Sequence, residues 1–180
     1  MSYRIQCAAL LILSACSTCR TVLAQAQAPA PASAERIEFH RIQLTDTYYS
    51  EGIAVGDING DGHQDVVYGP HWYAGPEFRQ ATSIYPPEPQ PMDRYADHFF
   101  AWVYDFDGDG ANDVLTVGFP GTPAHIYENP GDGRGTWTRH QVADWVSNES
   151  PQWLNLVGDD RPELVCTRDG FFGYYAPNWE

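Results

Sequence analysis

The chain has no lysine; its ten basic residues are all arginine, against 24 aspartates and glutamates and a net charge of −14. So few cations argue against binding to nucleic acid or to an anionic membrane surface, both of which need basic patches. Cysteine is scarce as well: of four, only Cys166 lies beyond the first 19 residues. An intramolecular disulfide in the folded part is therefore not expected, and Cys166, within an apolar strand-like run, reads as a small core residue. Helical periodicity with caps is not sustained in any segment. A Gly-x-Ser-x-Gly elbow, a His-Glu-x-x-His pair and a phosphate-binding loop are all missing, which removes the common hydrolase, zinc-protease and nucleotide signatures. What remains is a chain rich in aromatics, glycine and proline, the composition of an all-β fold with many tight turns.

The first 26 residues have the character of a leader. Arg4 supplies a positive start, and Cys7-Ala-Ala-Leu-Leu-Ile-Leu13 is an apolar run too short to cross a bilayer as a mature helix. Ala24-Gln25-Ala26 offers a small-x-small cleavage site, while Leu13-Ser14-Ala15-Cys16 resembles a lipobox that would make Cys16 a lipid anchor. Either route predicts an exported protein, secreted, periplasmic or lipid-anchored. Cys16 and Cys19 have the CxxC spacing of redox and zinc sites, but that spacing falls inside the leader. Residues 27–36 are a Pro/Ala spacer, and the folded part is expected over 37–180.

That part repeats itself. Ile53-Ala-Val-Gly-Asp-Ile-Asn-Gly-Asp-Gly-His-Gln-Asp-Val-Val67 matches Trp102-Val-Tyr-Asp-Phe-Asp-Gly-Asp-Gly-Ala-Asn-Asp-Val-Leu115, with a weaker copy at Trp153-Leu-Asn-Leu-Val-Gly-Asp-Asp-Arg-Pro-Glu-Leu-Val165. The period of roughly 50 residues is that of propeller blades. Each unit runs an apolar strand into an acidic Gly-rich loop and a β-branched strand out of it. In the second unit, Ala124–Glu128 and Trp137–Val142 supply two more strands, the content of one four-stranded blade. The fold expected is a β-propeller of antiparallel blades with about three present, a partial ring. Glu38–Leu44 resembles a final blade strand and is expected to be a lone outer strand.

The acidic loops carry the chemistry. Asp57, Asn59, Asp61 and Asp65 occupy positions one, three, five and nine of the first loop, and Asp105, Asp107, Asp109 and Asp113 those of the second. The backbone carbonyls of His63 and Ala111, at position seven, add an oxygen each. An all-oxygen set with this spacing suits a hard cation, and its flexible geometry suits Ca²⁺ better than Mg²⁺, with nothing soft enough for zinc or copper. Clustered carboxylates repel unless a counter-charge sits among them. The loops are not EF-hands, because β-strands flank them and position twelve is Tyr68 or Thr116 instead of glutamate. In the third loop Asn155 and Val157 replace ligands and Asp160 replaces a glycine, while Asp159 and Glu163 remain. It is expected to be equivalent in structure but weak or empty.

This pattern, Asp-x-Asn/Asp-Gly-Asp-Gly-x-x-Asp-Val after an apolar strand and repeated at blade spacing, resembles the FG-GAP/VCBS repeat family, which includes integrin α-chain propellers. The FG-GAP dipeptide itself is poorly kept, with Tyr68-Gly69-Pro70 and Gly118-Phe119-Pro120 near its place. The resemblance implies a propeller with calcium in its hairpin loops, held by the residues just named, and fixes fold and metal better than activity. Two uses are open. One is a binding, adhesion or scaffold module, whose aromatics would meet an extracellular protein or carbohydrate. The other is a carbohydrate-active enzyme of lyase or dehydratase type built on His71 or His98, with Glu51, Asp97 and Glu149 at equivalent points ahead of the loop strands. A shared cleft for the two histidines is what the enzyme reading requires.

Overall fold

Short β-branched and aromatic runs, broken by glycine and aspartate, fold as successive hairpins. In the computed structural model, which describes residues 37–159 and 161–178, these runs form eleven strands and, among the described residues, no helix. The leader, Cys16 and the spacer lie outside the described residues. Contacts divide the chain into Met1–His40 and Arg41–Glu180, and all the strands fall in the second unit.

Three antiparallel sheets follow one another along that unit. The first contains β1 (Ile53–Gly56), β2 (Asp65–Tyr68), β3 (His71–Tyr73) and β4 (Ala81–Ser83). The second contains β5 (His98–Tyr104), β6 (Asp113–Gly118), β7 (Thr122–Glu128) and β8 (Thr138–Val146). The third contains β9 (Gln152–Leu154), β10 (Glu163–Arg168) and β11 (Phe171–Tyr175). In each sheet strands pair in sequence order, the up-and-down meander of a propeller blade. The fold is all-β, and its open sheets are those of a partial propeller. One expected strand is missing: residues 37–45 belong to no sheet, and Ile37, Phe39 and Ile42 are more than four-fifths exposed. A strand exists only by ladder bonds to a neighbour, and no strand among the described residues pairs with this segment.

The core lies between sheets, because period-two alternation gives a central strand two apolar faces. All of β6 is buried. Val114 joins Ala54, Val67, Trp72, Ile84 and Tyr127 between the first and second sheets. Leu115 and Val117 join Ala124, Val146, Leu164 and Cys166 between the second and third. Fully burying each such aliphatic side chain is worth about 1.5–3 kcal/mol. Cys166 is a buried free thiol, as its apolar run predicts. Strands β1 and β5 run so close that a Cβ on Gly56 would overlap Val103, and one on Gly52 would overlap the Phe99 carbonyl. Only glycine fits there.

The first and second sheets are also stitched at the loops. Asn129 is buried; its amide donates to the Ile58 carbonyl at 2.8 Å and the Asn112 carbonyl at 2.9 Å, while its oxygen accepts from the N–H groups of Gly131 and Gly133. The Trp72 indole donates to the Gly133 carbonyl at 2.9 Å. The turn after β7 is thereby fastened onto the first acidic loop.

Candidate metal centre

Each acidic loop is the connection of an inner hairpin: 57–64 joins β1 to β2, 105–112 joins β5 to β6, and 155–162 joins β9 to β10. The loops curl because Asp and Asn side chains capture backbone N–H groups a few residues ahead. In the first, Asp57 accepts from the N–H groups of Asp61 and Gly62, and Asp61 accepts from that of His63. In the second, Asp105 accepts from Gly108 and Gly110, Asp107 from Asp109, and Asp109 from Ala111. Gly108 and Gly110 sit at φ of 78° and 92°, matched by Gly60 and Gly62 at 72° and 84°, a backbone region that side chains disfavour.

The curl brings carboxylates together. Oxygens of Asp105, Asp107 and Asp109 all lie within 4.8 Å of one another, with Asp105 half-buried and the other two exposed. At such separations each like-charge pair costs roughly 1 kcal/mol even in water. In the first loop Asn59 relieves the crowding, since its amide donates to Asp61 at 3.0 Å. These bonds, with that from the His63 N–H first, hold the Asp61 carboxyl below its ordinary range. The donor set tested against a cation is oxygen only, and a carboxylate offers about four lone-pair sites, so amide bonds to these oxygens leave positions for an ion. The group fits a hard divalent cation.

The ninth position behaves differently. Asp65 is fully buried, and its two oxygens accept from Ile58 N–H and Gly75 N–H, both at 2.8 Å. Asp113 repeats this with Phe106 at 3.0 Å and Asn129 at 2.8 Å. Burial pushes the Asp113 carboxyl up to about 6; the two amides oppose the shift, and the charges of Asp107 and Asp109 add to it. Asp113 is not one of the three clustered carboxylates. The third loop keeps the scaffold: Asn155 accepts from Gly158 at 2.6 Å, Asp159 from Arg161, and Glu163 from Leu156 at 2.8 Å. Its side chain at position three is Val157, so it offers fewer oxygens. The Asn155–Gly158, Asp159–Arg161 and Glu163–Leu156 bonds repeat those of Asp105–Gly108, Asp109–Ala111 and Asp113–Phe106.

The histidines do not converge. His71 packs edge-on against Tyr49 at 5.1 Å and meets Ser83 Oγ at 3.3 Å. His98 lies by Tyr85, with ring centroids 5.6 Å apart, on a cavity whose walls do not include His71. Burial lowers the pKa of both. Glu51 and Asp97 are exposed on neighbouring segments, where the Glu51 N–H donates to the His98 carbonyl at 3.0 Å, and Glu149 is exposed. The shared cleft that the enzyme reading requires is not formed by these residues. What sequence reasoning missed was Asn129, whose only signal was its place ahead of a Gly/Asp turn.

No curated protein and no solved structure matches the chain. A family model does match, over residues 51–76. That span covers β1, the first acidic loop, β2, β3 and Gly75, the residue whose N–H closes onto Asp65. Residues 51–76 thus match the model of the FG-GAP repeat.

Proposed function

We propose that this chain is an exported, calcium-binding β-propeller repeat protein that serves as a binding module for an extracellular protein or carbohydrate. The observation that carries the metal is the approach of the Asp105, Asp107 and Asp109 carboxylates within 4.8 Å. Bound there, Ca²⁺ would supply the counter-charge that like carboxylates lack. In this reading the second ion is held by Asp105, Asp107, Asp109, the Ala111 carbonyl and Asp113. The first is held by Asp57, Asn59, Asp61, the His63 carbonyl and Asp65. The ion is structural: it binds the folded hairpin and not the unfolded chain, so it stabilises by mass action. Export rests on the leader, with Cys16 lipidation as one route.

A rigid scaffold with exposed rings supports the binding reading. Tyr95, Phe99 and Phe119 cluster with centroids 5.5–6.1 Å apart, and Tyr95 and Phe119 are 64% and 46% exposed. They stand where β6 turns into β7, at the other end of the sheet from the acidic loop.

Calorimetric titration and thermal melting test the metal. Extracellular calcium modules bind at about 10⁻⁴–10⁻³ M, so millimolar calcium should add roughly 0.4–1.4 kcal/mol per loop. For a unit of this size that raises Tm by about 2–10 °C when both loops fill. Identical melting with excess chelator and with millimolar calcium would remove the proposal.

A further inference from the structure

On the second sheet, Val114 and Tyr127 pack into the core shared with the first sheet. Beyond them the side chains on that face of the second sheet become polar, and a cavity of ≈ 360 Å³ opens, lined in part by Asp97, His98, Thr116, His125, Tyr127 and Arg139. Tyr127 is an aromatic part of its wall, and Tyr85 stacks behind it with centroids 4.6 Å apart. None of its groups belongs to the acidic loops.

Arg139 is the unusual member. In a chain with 24 acidic residues and ten arginines, it makes no ion pair among the described residues. Its guanidinium Nη2 instead donates to His125 Nε2 at 2.7 Å. Arginine is always a donor, so His125 Nε2 carries no proton and the neutral ring holds its proton on Nδ1. Burial first, then the charge of Arg139, then His98, keep His125 in that neutral form. The remaining N–H groups of the guanidinium are free to take a second, negatively charged partner, and a carboxylate matches that fork in two parallel bonds. At another wall stands Asp97, an acceptor for hydroxyl groups, and the Thr116 and Thr122 hydroxyls line the cavity between. Both hydroxyls donate to main-chain carbonyls, of His125 at 3.4 Å and Phe119 at 2.7 Å, which leaves their oxygens as acceptors. Buried within this setting, His98 Nδ1 has no hydrogen-bond partner, and such a group costs stability without return unless something else in the site uses the ring.

We infer that this cavity on the second sheet is a binding site for a small hydroxylated carboxylate, its acid group on Arg139 and its hydroxyls toward Asp97 and the two threonines. The Tyr127 ring, backed by Tyr85, offers an apolar face to the carbon chain. Asp97 would repel a simple inorganic oxyanion, and the arginine gives a neutral sugar no advantage, so the pairing selects a ligand with both kinds of group.

The test uses the whole protein with calcium present throughout, following tyrosine and tryptophan fluorescence and confirming by calorimetry. Gluconate and glucuronate are the probes, with glucose and sulfate as comparisons. Saturable binding of at least one acid is expected, with glucose and sulfate at least about tenfold weaker, the loss of one charge-assisted bond. Arg139→Gln should weaken the acid by about tenfold or more, and Arg139→Lys, which keeps the charge but not the fork, by less. Arg139 is exposed on β8, so these variants should fold, which melting checks. Asp97→Asn should weaken the acid and admit sulfate. The inference is overturned if neither acid saturates, if Arg139→Gln binds as the parent does, or if sulfate matches the acids in the parent. Asp107→Asn, which strikes the metal loop, should leave acid binding unchanged. Failure of the metal reading is thus seen in melting and failure of this one in the titration.

Discussion

Replacing Asp65 by alanine separates two roles that sequence spacing alone merges. Asp65 is fully buried and accepts two N–H bonds at 2.8 Å, from Ile58 and Gly75. Alanine would orphan both donors. Each buried donor left without a partner costs about 1–3 kcal/mol, so two cost roughly 2–6 kcal/mol. Removing a buried carboxylate also removes its own desolvation cost, which brings the expectation to about 2–4 kcal/mol. Against a total stability on the order of 5–15 kcal/mol, that is a large loss. Asp65→Asn should fall between, since one oxygen still accepts while the amide NH₂ faces a donor. The assay is urea denaturation followed by tryptophan fluorescence in excess chelator, so that no metal contributes. Asp107→Asn is the control: Asp107 is exposed, so in chelator it should lie within about 0.5 kcal/mol of the parent while losing the calcium response. If Asp65→Ala in chelator is as stable as the parent, the buried carboxylate is not what closes the loop, and the reasoning fails.

Three further outcomes follow from particular contacts. Asn129→Ala should cost about 2–4 kcal/mol by denaturation, because it removes bonds to Ile58 and Asn112 carbonyls and frees two turn N–H groups. Gly133→Ala should destabilise by about 1–3 kcal/mol or more: a Cβ there would stand 2.8 Å from Ile58 and Trp72 atoms at a φ of 74°, and its cost should not add fully to that of Asn129→Ala. Burial lowers the His98 pKa from 6.5. The unfolded chain therefore takes up that proton first, and the contribution is present above pH 6.5 and lost as pH falls toward the folded value. His98→Gln should flatten this part of the stability–pH curve below pH 6.5, and an unchanged slope would show that His98 is not shielded from water.

Much of the molecule was legible locally. The Asp, Asn and Gly positions of the loops 57–64 and 105–112, the strands leaving them and the buried Cys166 all follow from turn chemistry and period-two patterning, which act over a few residues. The meander order follows too, because short connections join neighbours. Tertiary structure decided the rest. Nothing near Asp65 or Asp113 announces that their oxygens close onto Gly75 and Asn129, ten and sixteen residues away. The segment Glu38–Leu44 has the pattern of a strand, yet pattern cannot supply a ladder partner. The separation of His71 from His98 and the reach of Trp72 to Gly133 across 61 residues depend on how one sheet packs against the next, while the bond of Arg139 to His125 depends on the pairing of β7 with β8. Spacing along a loop is fixed by covalent geometry; which groups are sealed from water, and by what, is fixed only when the sheets close over them.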